Sequence, residues 1–157
     1  MDETVRQYLD AARGRLLGRS VAHKRHFLLT LQLYFEPEGS DSVAAEVWCE
    51  PSWQVLVGTA VVAGSGTLEL APESSDSEAD LARVSAATDV LVGRRLRAFE
   101  IDPRTHELHL AFDGPGDVEV RTFVSIADEP DPLWRLRERA LGTELAGRVS
   151  GVSVAAV

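Results

Sequence analysis

The sequence predicts an α+β protein, mainly antiparallel β, made of two tandem helix-plus-meander repeats with pseudo-two-fold symmetry. Three observations carry this reading. First, Leu16-Leu17-Gly18-Arg19 is answered by Leu91-Val92-Gly93-Arg94, and Leu31-x-Leu33-x-Phe35 by Leu108-x-Leu110-x-Phe112. Second, Glu46-Val47 returns as Glu119-Val120, and Ser52-Trp53-Gln54-Val55 as Leu133-Trp134-Arg135-Leu136. The order is kept while the offset stays between 73 and 81 residues, as in an internal duplication. Third, in each copy the hydrophobic spacing changes from helical to alternating.

The first repeat, 1–76, opens with a predicted helix. Val5, Leu9, Ala12 and Leu16 share one face, and Asp2 stands where a cap is wanted. In the second repeat, 77–157, Leu81, Val84, Thr88 and Leu91 give the stripe behind a Ser75-x-x-Glu78 capping-box pattern. Gly18 and Gly93 fall just past each stripe, where a left-handed helix-ending residue belongs.

First strands are expected over 19–26 and 94–101. Second strands follow at 29–35 and 106–112, with Leu31, Leu33, Phe35 and Leu108, Leu110, Phe112 facing inward. Asp102-Pro103-Arg104-Thr105 is a strong turn, whereas the first copy must turn tightly around Phe27-Leu28. Third strands are expected at 43–50 and 117–125, fourth strands from Trp53 and Trp134, and fifth strands at 66–71 and 149–156. A repeat of this size is marginal alone, so the halves are expected to share one core as a compact unit.

The single Cys49 excludes an intrachain disulfide framework, and the apolar runs are too short and Gly-interrupted to cross a bilayer as a helix. The acidic start, Met1-Asp2-Glu3, lacks the basic and apolar regions of a signal peptide, so a cytoplasmic location is expected. The net charge of −9 is uneven: 26–82 holds ten Asp or Glu and no Lys or Arg. Such a segment repels nucleic-acid phosphates and favours a basic protein partner.

His23-x-x-His26 and His106-x-x-His109 suggest metal at first sight. On strands, however, positions i and i+3 face opposite ways, so no metal and no cofactor are expected. Cys49 has acidic sequence neighbours, which oppose a reactive thiolate and favour a buried strand cysteine. Glu46 and Glu50 flank Trp48 on one strand face. At the usual rise they lie about 13 Å apart, too far for a cooperating acid and base. The matched Trp53 and Trp134 are read as core, and no catalytic residue is assigned.

The order Leu-x-Gly-Arg, Leu-x-Leu-x-Phe, acidic β segment and Trp-led strand resembles uncharacterised bacterial β-meander proteins, some of them immunity-like. The resemblance implies a bacterial, cytoplasmic, non-enzymatic protein and brings no functional residues with it. The expected function is non-catalytic protein binding through an acidic surface of Glu36, Glu38, Asp41, Glu46, Trp48 and Glu50. Its carboxylates would pair with basic groups of the partner while Trp48 supplies apolar area. The alternative is a small-molecule-binding module or enzyme with its site in the cleft between the repeats. A third reading is a subunit that assembles through a self-complementary edge strand.

Overall fold

Asp2 starts the first helix: its carboxylate accepts from the Thr4 N–H at 2.7 Å, satisfying an amide with no intrahelical partner. Helix α1 (Glu3–Leu16) buries Leu9, Ala12 and Leu16, and Gly18 at φ 83° ends it. Helix α2 (Asp76–Thr88) runs into a 3-10 turn (Asp89–Leu91), and Gly93 at φ 81° closes that segment. Val84, Thr88 and Leu91 are buried as the spacing predicts, whereas Leu81 stays 43% exposed. The computed structural model describes residues 2–37, 45–66, 76–124, 131–138 and 141–157. Ser75 of the capping-box pattern, Glu38, Asp41 and positions 67–71 of a predicted strand lie outside the described residues.

Between the helices come β1 (Val21–Phe27), β2 (Thr30–Phe35), β3 (Ala45–Cys49), β4 (Trp53–Val57) and β5 (Ala60–Gly64). After α2 follow β6 (Leu96–Ile101), β7 (Leu108–Phe112), β8 (Val118–Thr122), β9 (Trp134–Glu138), β10 (Thr143–Arg148) and β11 (Gly151–Ala156). The fifth strands begin earlier than expected because Gly58 and Gly142, at φ 60° and 58°, turn the chain straight back. Positions 151–156 of the predicted strand 149–156 instead form an additional strand beyond β10.

All neighbours are antiparallel, and the sheets cut across the halves. One sheet runs β1-β2-β3-β9-β10-β11 and the other β5-β4-β8-β7-β6. The unbroken meander expected within each half is therefore divided: β3 and β4, like β8 and β9, are consecutive in sequence but lie in different sheets. The junctions run in matching register. Cys49 pairs with Trp134 and Val47 with Leu136 in one sheet, while Thr122 pairs with Trp53 and Val120 with Val55 in the other. At the corner where β1 meets β6, a Ser20–Arg95 bridge joins the sheets. Gly18 N–H donates to Leu96 O and Gly93 N–H to Val21 O, each at 2.8 Å.

The inner faces of both sheets meet in one core that includes Leu31, Leu33, Phe35, Val55, Phe99, Leu110, Phe112, Trp53 and Trp134. Trp53 and Trp134 are buried but not left polar-unsatisfied. Their indole N–H groups donate to Leu29 O at 2.6 Å and His106 O at 2.8 Å, which ties each β4 and β9 start to the preceding hairpin of its own half. A Cβ at Gly147 would run into the Trp134 indole, so that close approach requires glycine. The helices also bridge sheets. Arg13 of α1 donates to Phe99 O on β6 while α1 packs on β11, and α2 packs on β5 while its Ser85 O accepts from Lys24 of β1.

Candidate surface on the six-stranded sheet

Alternation puts one set of side chains on the outer side of the six-stranded sheet, and register lines them up. Tyr34 pairs with Glu46, Glu46 with Arg137, and Arg137 with Glu144. The adjacent row is Gln32, Trp48, Arg135 and Ala146. The face is thus assembled from both halves of the chain.

These side chains lie flat and hold one another. Trp48 Nε1 donates to Glu46 Oε2 at 3.0 Å, and the Arg137 guanidinium stacks 4.0 Å from the Trp48 ring centroid. Arg135 bridges Glu50 at 3.2 Å and Glu144 at 3.1 Å, and Arg137 also reaches Glu144. Glu50 accepts from Thr30 Oγ at 2.6 Å. Beside them the His23 ring stacks on Tyr34 at 4.2 Å.

Of the six residues the sequence singles out, Glu46, Trp48 and Glu50 lie on this face. Glu36 is exposed at the end of β2, and Glu38 and Asp41 are outside the described residues. Glu46 is only 1% exposed, so it is not the solvated carboxylate that its strand position suggested. The guanidinium groups expected from a partner are present within the chain, on Arg135 and Arg137. Sequence reasoning missed them as site residues. Their alternation along β9 was a usable signal, but nothing local specifies that β9 of one half pairs with β3 of the other.

The β1–β2 hairpin stands at the margin of this face. Phe27 pairs with Thr30, leaving Leu28 and Leu29 as the turn. Leu28 is 79% exposed at φ 52°, a left-handed conformation that costs a side chain about 1–2 kcal/mol, and Phe27 is 53% exposed. The Trp53 indole grips Leu29 O from inside, so the turn is anchored while its apolar side chains face solvent. The corresponding connection in the second half is polar: Asp102 accepts from the Arg104 and Thr105 N–H groups at 2.7 and 2.9 Å.

His23 and His26 part company, as strand geometry requires, whereas His106, at φ 59°, precedes β7 and is not on a strand. His23 stacks outward on Tyr34, while His26 turns inward to Thr88, 2.9 Å away, and to the Trp53 ring. Burial, reinforced by the Lys24 cation and opposed by Asp89, lowers the His26 pKa to about 4. On the other sheet His109 sits between Glu100 at 3.5 Å and Glu119 at 3.1 Å. Burial would raise the Glu119 pKa, but Arg121 and His109 hold it below its ordinary value. Cys49 is buried, and that burial pushes its thiol pKa far up, which disfavours the nucleophilic thiolate. Where the halves meet at the Ser20–Arg95 bridge, an open recess of about 490 Å³ is lined by Leu17, Arg19, Ser20, Glu36 and Arg95. No group of His, Cys, Asp or Glu among the described residues could hold a metal ion, and no described helix is long and apolar enough to cross a membrane. No protein-family profile, curated protein or solved structure matches the chain.

Proposed function

We propose that this chain is a non-catalytic, immunity-like binding protein that occludes a basic protein partner with the outer face of its six-stranded sheet. The observation that carries the reading is the Phe27–Leu28 turn. It exposes two large apolar side chains and holds one of them at positive φ, where Gly or Asn would relieve the backbone. Exposed aliphatic and aromatic anchors beside an ordered polar rim are the usual makings of a protein interface.

Beside the turn, Trp48 is already oriented by Glu46 and Arg137, so little side-chain freedom is lost on docking. Glu36, exposed at the end of β2, and Glu50, whose carboxylate Arg135 holds, give the β2–β3 side its acidic groups, and a partner's Lys or Arg would add to or exchange with Arg135 there. The same reading takes the chain as a duplicated helix–strand unit with pseudo-two-fold symmetry, working in a bacterial cytoplasm.

Charge reversal at Glu46 is a poor test because that carboxylate is buried. Leu28→Gly is better, since it removes the anchor and relaxes the backbone. The partner is first captured with the intact chain and identified, and its affinity is then measured by calorimetry. Leu28→Gly is expected to keep or raise the urea midpoint and to weaken binding by about tenfold or more. Glu36→Lys is expected to slow association in a salt-dependent way. Unchanged affinity in both variants would falsify the assignment of this face.

A further inference from the structure

Each sheet has two edge strands, and among the described residues three of the four edges carry a visible safeguard. The β1 ladder is broken by a bulge between Val21 and His23, and β1 carries Lys24 and Arg25. The β6 edge has a bulge between Leu96 and Ala98, and Arg13 Nε caps its Phe99 carbonyl at 2.8 Å. The β5 ladder shifts register between Val55 and Leu56, and α2 packs against β5. Bulges, charges and covering elements are how sheet edges avoid pairing with further strands.

The β11 edge has neither a bulge nor a charge, although α1 packs on β11 as α2 packs on β5. Its register with β10 is continuous from Thr143↔Ala156 to Arg148↔Gly151, and it reads Gly-Val-Ser-Val-Ala-Ala without a charge or a proline. Val157 N–H donates to Gly142 O at 2.9 Å, which makes 142 and 157 a hydrogen-bonded pair. Such pairs alternate along an antiparallel ladder. Residues 155, 153 and 151 therefore bond inward to β10, and the N–H and C=O groups of Val152, Val154 and Ala156 point away from the sheet.

Those three residues are self-complementary. Two antiparallel β11 strands centred on Val154 set Val154 opposite Val154 and Val152 opposite Ala156, so that every outward donor meets an outward acceptor. The small, uncharged side chains bring no like charges together across the axis. We propose that the chain forms a two-fold homodimer by β11-to-β11 pairing, which joins the two six-stranded sheets into one continuous sheet. The axis is perpendicular to the sheet, so both Trp48 faces point to the same side. This inference does not depend on the binding role of that face.

Sedimentation of the full chain across the micromolar range, with residue-resolved hydrogen exchange, tests it. A reversible dimer is expected in which the Val152, Val154 and Ala156 amides become protected as concentration rises. Val154→Pro removes an outward N–H without touching a β10 bond, and Ala155→Lys sets two like charges near the axis. Each is expected to weaken the dimer by roughly tenfold or more. Should Val154→Pro fail to fold, Ala155→Lys and the exchange pattern decide alone. A chain that stays monomeric, or a dimer with an unprotected Val154 amide, or one indifferent to Ala155→Lys, overturns the proposal.

Discussion

The outer faces of the two sheets occupy matching registers and carry different chemistry. On the six-stranded sheet the rows read Tyr34, Glu46, Arg137, Glu144 and Gln32, Trp48, Arg135, Ala146. On the five-stranded sheet they read Ala111, Glu119, Leu56, Val61 and His109, Arg121, Gln54, Gly64. Only the glutamate, 46 or 119, recurs. Beneath these faces the inner positions agree: Val47 and Cys49 against Leu136 and Trp134 in one sheet, Val120 and Thr122 against Val55 and Trp53 in the other. Packing constrains what faces inward, because a filled interior tolerates little change of volume. The outward positions meet no second sheet, and Trp48 with Arg135 and Arg137 beside it stands on one face alone, which marks where to seek a role.

The hardest test of the matched interior is to remove each tryptophan. Trp53→Ala and Trp134→Ala are each expected to cost about 3–5 kcal/mol in urea unfolding, by similar amounts. A wide gap between the two would break the equivalence of the inner faces. Next comes an exchange across the outer faces. Arg137→Leu gives the six-stranded sheet the residue found at the matching place in the other, but removes one of the two guanidinium partners of the buried Glu144 and the cation stacked on Trp48. A loss of about 1–3 kcal/mol at neutral pH is expected, whereas the reverse change, Leu56→Arg, should stay within about 0.5 kcal/mol. Equal effects would mean that the two faces differ in composition but not in organisation.

The smallest effect is a slope. His26 titrates near pH 4 in the folded chain against an ordinary 6.5, whereas its matched position on β6 is Ile101, which cannot titrate. Between those values the unfolded chain binds the additional proton, so the His26 contribution is complete above about pH 6.5 and lost as pH falls toward 4. The urea midpoint of the wild type should therefore fall over that window more steeply than that of His26→Asn. Parallel curves would assign the acid sensitivity to other groups.

Much of the local structure was legible. Asp2, Gly18 and Gly93 marked helix ends through capping and positive φ, and the alternation at 31–35 and 108–112 gave β2 and β7 their faces. Sheet membership was not legible, since a strand sequence states which side faces the core but not which distant strand lies beside it. That gap also hid the candidate surface: Arg135 and Arg137 could be placed on an outward face, but not beside Trp48. The sequence places Leu28 in a tight turn. Its exposure follows from Trp53 holding the neighbouring carbonyl, a contact across 24 residues.

The exchange of strands between sheets has a consequence for the chain as it is made. During synthesis β3 appears long before its neighbour β9, with 85 positions between Cys49 and its partner Trp134. At a usual elongation rate of about 5–20 residues per second, that edge waits on the order of 4–17 s. Throughout the interval Val47 and Cys49 lack the strand that later flanks them, and for most of it β4 lacks β8. The nascent first half therefore carries strand edges that only the second half covers, the kind of edge that invites pairing with other chains.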